Sequence, residues 1–151
     1  MVVAAVARLI GERGALMPGV RDAIELLRNE DYILAVASSS PLALIRAALE
    51  QLQVLNEFAV VQSAEDEAEG KPHPAVYNTT MSRLDVDPAA CIAFEDSVAG
   101  IRSAKSAGAF VIAVPDDVDR SNPCIGAADV VLESMTEFSL ELVERRRKQR
   151  R

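Results

Sequence analysis

The chain has 151 residues, half of them apolar, about a quarter charged and 4% aromatic; that is the length of one domain with a real core, and it excludes disorder. Cys91 and Cys124 are too few for a disulfide scaffold, and no uncharged run approaches the roughly 20 residues of a membrane span. The net charge is −7, but Arg145, Arg146, Arg147, Lys148, Arg150 and Arg151 hold six of the 16 bases, so the first 144 residues set 23 acids against 10 bases and carry −13.

An acidic body repels nucleic-acid phosphates, so the domain itself is not expected to bind a duplex. The basic end has no interleaved aromatics and reads first as a solvated helix end, with a nucleic-acid or membrane-surface arm as the lesser alternative. Met1 to Arg8 lacks a basic leader, so a soluble, reducing, cytoplasmic setting is expected, with no membrane association.

In chain order, Val2, Val3, Val6, Leu9 and Ile10 recur at helical spacing and predict a first helix, weakened at Gly11 and Gly14. Pro18-Gly19 opens a second helix with a buried stripe of Val20, Ala23, Ile24 and Leu27. Tyr32 to Ala37 is a continuous apolar run, the pattern of a strand buried on both faces. Ser38-Ser39-Ser40-Pro41 follows, then a helix through Leu49. Phe58 to Val61 predicts a strand, Ala64 to Pro74 a polar loop, and His73-Pro74 leads a helix to about Leu84. Cys91 to Phe94 predicts a third strand, and Ser97 to Ala107 a helix closed by Gly108. Phe110 to Val114 and Asp129 to Leu132 complete the strands, and a last helix follows Ser134. This alternation implies an α/β fold with a parallel sheet, in which ligands bind beyond the carboxyl ends of the strands.

Those ends collect Ser38 after the first predicted strand, Lys71 in the loop after the second, and Glu95-Asp96 after the third. A hydroxyl, an ammonium and paired carboxylates on one edge suit phosphoryl transfer. The carboxylates can hold Mg²⁺ and leave positions for water and phosphate. The ammonium neutralises the transferred group and the hydroxyl donates to it. Free backbone donors at the start of the Ser97 helix offer a further place for an anion. Each residue alone has a plainer reading: Ser38 as a turn or cap, Lys71 as a surface lysine, Asp96 as a helix cap, Glu95 as a surface acid. Their order at successive strand ends favours the functional one.

Ala37-Ser38-Ser39-Ser40-Pro41, Lys71-Pro72-His73-Pro74 and the run from Phe94-Glu95-Asp96-Ser97 to Gly108 resemble motifs two, three and four of the haloacid dehalogenase superfamily. The likeness is to its sugar-phosphate branch of β-phosphoglucomutases and hexitol or 2-deoxyglucose-6-phosphate phosphatases, and covers roughly residues 2 to 143. It implies a Rossmann-like core and a Mg²⁺-dependent phosphatase acting on a small sugar or polyol phosphate. By the same resemblance Ser38 holds the phosphoryl group with backbone help from Ser39, and Lys71 bridges phosphate and nucleophile. Asp96 ligates Mg²⁺ with Glu95 as second ligand or orienting partner, and His73 belongs to a rigid loop.

The family's first motif, Asp-x-Asp directly after an apolar strand, does not precede Pro18 here. Asp85-x-Asp87 reads as a connecting turn, and Asp117-x-Asp119 as a loop in which a relocated nucleophile is the lesser reading. The expected core is therefore incomplete, lacking its first strand and most of the cap domain. Residues 1–17 are read as a remnant of the cap-to-core helix, 18–144 as the core and 145–151 as a basic tail. Unpaired edges flanking the missing strand would then invite self-association. Two alternatives stand beside the phosphatase. One is an inactive remnant that binds or assembles; the other is a phosphomutase, disfavoured because Pro41-Leu42 stands where that branch carries Lys-Asn.

Overall fold

The computed structural model describes residues 3–6 and 15–149. Six parallel strands form one sheet in the order β3-β2-β1-β4-β5-β6: β1 (Val3–Val6), β2 (Ile33–Ser38), β3 (Val60–Ser63), β4 (Ile92–Glu95), β5 (Phe110–Ala113) and β6 (Val130–Val131). The five helices are α1 (Val20–Asn29), α2 (Leu42–Gln51), α3 (Ala75–Leu84), α4 (Val98–Ser106) and α5 (Leu140–Lys148). No helix among the described residues is long and apolar enough to cross a membrane.

Strand alternation divides the core in two. Leu34, Val36, Ile92, Phe94 and Ile112 pack with α1, α2 and α5 on one face. Ala35, Ala37, Ala93, Val111 and Ala113 face α3 and α4 on the other. The small alanines of that second face let α3 and α4 lie close to the sheet, so side chains near their amino ends reach the carboxyl edge. α1 buries the predicted stripe of Val20, Ala23, Ile24 and Leu27. Gly19 starts it with φ +82°, and a β-carbon there would overlap the backbone of Met135 and Thr136, so this helix start admits only glycine without strain.

The N-terminal expectation is corrected. Val3–Val6 is a strand, not part of a helix, and it fills the central position that the sequence reading left vacant. Val3, Ala4 and Ala5 register with Ile33, Leu34 and Ala35, and Ala4, Ala5 and Val6 with Ile92, Ala93 and Phe94. A short apolar run fits either period, and backbone groups on both β2 and β4 lack partners unless a strand lies between them. Those partners decide the conformation, and with both inner edges paired the expected ground for self-association there is gone. The rest of the predicted helix, Val2 and Ala7 to Gly14, lies outside the described residues. The boundary at 145 is also corrected: α5 runs through it, and Arg145 to Lys148 form its last turn. Arg147 donates to the carbonyls of Ala89 and Cys91 and lies over the Phe110 ring. Arg150 and Arg151 lie outside the described residues.

Candidate active site

The site lies where β2 and β4 end. Ser38 is the last residue of β2 and is buried, while Ser39 and Ser40 are exposed. The Ser38 hydroxyl accepts from the Ser40 amide at 3.2 Å, which leaves its own hydrogen to donate elsewhere. Ser63, at the end of β3 and registered with Ser38, donates from its hydroxyl to the Ser40 carbonyl at 2.7 Å. The Leu42 amide donates to Glu65 Oε2 at 3.2 Å. The 63–65 turn thus clamps the serine loop from below, a role the sequence reading missed.

Lys71 reaches back from the loop before α3. Its Nζ contacts Glu95 Oε1 at 2.5 Å and the Ala37 carbonyl at 3.2 Å, with the side chain only 8% exposed. Lys71 and Glu95 are therefore in direct contact. Ser38 adjoins them through its chain neighbour Ala37, and Asp96 as the residue after Glu95.

Glu95 is the most enclosed group of the site. Tyr77, fully buried on α3, donates its hydroxyl to the same Oε1 at 2.5 Å. On the other side Gly100 of α4 presses against the carboxylate, and a β-carbon there would overlap it. Among the described residues, Glu95 Oε2 is buried and has no hydrogen-bond partner. Burial pushes the Glu95 carboxyl above its ordinary value, against the opposing pull of Lys71 and the Tyr77 hydrogen bond. Burial, then the Glu95 charge, hold the Tyr77 hydroxyl protonated well above its ordinary value. Sequence reasoning missed Tyr77 and Gly100. The available signal was a glycine inside a helix with no turn to explain it, three residues after the Ser97 cap.

Asp96 is buried and lines a cleft with Met17, Val20, Phe94, Val114 and Met135. Its carbonyl accepts from the Asp116 amide at 3.2 Å. Two of the expected free donors at the start of α4 are taken. The Val98 amide donates to Asp119 Oδ2 at 3.0 Å, and the Gly100 amide to Ser97 Oγ at 3.1 Å. Asp119 is thus a cap on α4, whereas Asp117 is fully exposed beside Arg120. At the other Asp-x-Asp string, Asp87 accepts from the Ala89 amide and forms a turn. His73 accepts from the Ala75 amide through Nδ1, while its carbonyl receives the Ser103 hydroxyl, as befits a rigid loop.

The residues present fit a divalent cation in part. Glu95 and Asp96 supply hard oxygen donors, but Gly100 packs on the partnerless Oε2, so a cation would meet Glu95 only after that carboxylate turned. Among the described residues no third His, Cys, Asp or Glu joins them, so further positions fall to water and phosphoryl oxygens. Val6 lies beside Phe94, one residue before Glu95, so β1 leads towards the site. The chain continues in sequence as Ala7-Arg8-Leu9, which carries no carboxylate.

The described residues form a Rossmann-like α/β core that carries serine, lysine and paired carboxylates on its carboxyl edge. Comparison with known proteins agrees. The haloacid dehalogenase-like hydrolase family matches residues 2–108, and the chain belongs to that family. Hexitol phosphatase B of Escherichia coli K12 is 37% identical over 138 residues, covering 91% of this chain and 62% of that protein. β-Phosphoglucomutase of Bacillus subtilis is 36% identical over 128 residues, covering 85% of this chain and 54% of that protein. The crystal structure of CbbY from Rhodobacter sphaeroides in complex with phosphate superposes with a TM-score of 0.77 at 34% identity, covering 82% of this chain and 56% of that one. The chain thus spans about three-fifths of the length of the relatives it matches.

Proposed function

We propose that this chain supplies the phosphate- and metal-binding half of a Mg²⁺-dependent phosphatase acting on a small sugar or polyol phosphate. The observation that carries the reading is the buried Lys71–Glu95 pair at the carboxyl edge, with an unsatisfied oxygen on Glu95 and Asp96 next in the chain. Hexitol phosphatase B among the relatives supports the substrate class.

The Ser38 hydroxyl donates to a phosphoryl oxygen, since its lone pair already serves the Ser40 amide. Ser39 adds a backbone donor in the same exposed loop. Lys71 gives two of its three N–H groups to Glu95 and Ala37 and presents the third to the phosphoryl group. Asp96 and Glu95 would hold the Mg²⁺, which when bound would neutralise charge on the phosphoryl oxygens. The aspartate that accepts the phosphoryl group, releases the sugar hydroxyl and then yields phosphate to water comes from outside the Ala7-Arg8-Leu9 stretch.

The test restores the missing spacing. Phosphate release from hexitol and deoxyhexose phosphates is measured on the chain carrying Ala7→Asp and Leu9→Asp, then with Lys71→Ala or Asp96→Asn added. The expected result is Mg²⁺-dependent turnover that each added change lowers about 10²–10³-fold. Turnover that survives Lys71→Ala overturns the assignment. A second reading, a non-catalytic binding module, is favoured by one observation: β1 takes the central place of the sheet, yet the Ala7-Arg8-Leu9 stretch directly after it carries no carboxylate. Mg²⁺ and phosphate binding with no turnover in the restored chain would decide for it. The mutase reading has less support, because Pro41-Leu42 offers no polar pair to orient a second sugar position.

A further inference from the structure

We propose that Glu65 is a specificity-determining residue that restricts the site to substrates carrying a single phosphate, because its carboxylate occupies the helix start beside the serine loop. The inference rests on the phosphatase reading above and narrows its substrate class.

A helix amino end draws anions through its free amides and the positive end of its dipole. α2 begins four residues after Ser38, on the edge that holds the site, and Pro41 in front of it supplies no side-chain hydrogen bond. The helix start is filled from another segment instead. Leu42, the first residue of α2, donates its amide to Glu65 Oε2 at 3.2 Å. Glu65 is in turn tied to the same loop: its own amide donates to Ser63 Oγ at 3.1 Å, and the buried Ser63 donates to the Ser40 carbonyl at 2.7 Å. A negative charge is thus held at the mouth of the phosphoryl position.

The opposite flank repeats the pattern. α4 starts two residues after Asp96, and its first amide, Val98, donates to Asp119 Oδ2 at 3.0 Å. The loop that brings Asp119 is fastened to the site, since the Asp116 amide donates to the Asp96 carbonyl. The lysine and arginine of these two loops are themselves engaged, Lys71 with Glu95 and Arg120 with Glu133. Ser38 and Lys71 still serve one phosphate from the strand ends. A second phosphate at the rim meets carboxylates of its own sign and finds the first amide of each helix taken. Repulsion of the doubly charged competitor then does the selecting.

The experiment measures the affinities of the full chain for glucose 6-phosphate and glucose 1,6-bisphosphate by isothermal titration calorimetry. Glu65→Gln keeps an acceptor oxygen for the Leu42 amide and removes only the charge. The ratio of the two affinities is expected to move towards the bisphosphate by about three- to tenfold, and the shift to shrink at high salt. A role confined to capping α2 predicts something different: Glu65→Ala lowers the urea midpoint, and the ratio stays where it was. A ratio unchanged in both variants, or an equal gain for both ligands, overturns the role of Glu65 and leaves the phosphatase reading intact. If the unsubstituted chain binds neither ligand, the phosphate reading itself is overturned, and this inference with it.

Discussion

Two lysine pairs with buried carboxylates stand at opposite edges of the same sheet. At the amino edge of β6, Asp129 is fully buried and uses both oxygens: Lys105 contacts Oδ1 at 2.8 Å and Oδ2 at 3.1 Å, and the Val111 amide donates to Oδ2 at 2.6 Å. It ties the end of α4 to β5 and leaves no acceptor over. At the carboxyl edge, Glu95 takes Lys71 and Tyr77 on one oxygen and leaves the other without a partner. The two pairs thus differ in one buried oxygen, which Glu95 leaves without a hydrogen bond and Asp129 does not.

Removing the lysine from each pair sets them furthest apart. Lys71→Met strands a buried carboxylate and is expected to cost about 3–5 kcal/mol in urea unfolding. Lys105→Met is expected to cost about 1 kcal/mol, because that lysine is 30% exposed and Asp129 keeps the Val111 amide. Equal losses would erase the distinction. Gly100→Ala comes next: the helix gains a better former, but the new methyl meets the Glu95 carboxylate, so a net loss of about 1–3 kcal/mol is expected in the same unfolding.

The smallest effect is in pH. The folded-state value of Glu95 is raised by burial, so between the ordinary carboxylate range and that raised value the folded chain holds more proton than the unfolded one. The stability this adds is complete below the ordinary value and is lost as pH rises through the folded one. The urea midpoint of the unsubstituted chain, measured relative to Glu95→Gln, is expected to fall across that window. A flat difference would show that burial does not raise the Glu95 value.

Most of the sheet was legible because β2, β4 and β5 are built on continuous apolar runs, as two-sided burial demands, and β3 begins on one before turning polar at Gln62 and Ser63. β1 was not, since Val-Ala-Ala-Val satisfies either period until β2 and β4 stand on both sides of it. The four charged and hydroxyl positions of the site were readable from their order at strand ends. Tyr77 was not, because one aromatic on a helix looks like core until α3 is placed against Glu95. Asp119 read as half of a stray Asp-x-Asp string, and only the fold of the loop after β5 brings it onto the first amide of α4.

The strand order has a consequence for cooperativity. β2 and β3 pair with each other, as do β4, β5 and β6, each set between segments that are near neighbours in sequence. Within the sheet, the two sets meet only through the four residues of β1, which reach both from one end of the chain. Of these the β1–β4 pairing is the distant one, and it is expected to form late, after the local ones have closed. Within the sheet the two sets are thus joined by one short splice. Amide exchange reads that directly: the halves share a single opening free energy while β1 is in place, and separate into two when it leaves. Lys71 in one half and Glu95 in the other lie on either side of that splice, so the ion pair at the site forms only in the fully joined state.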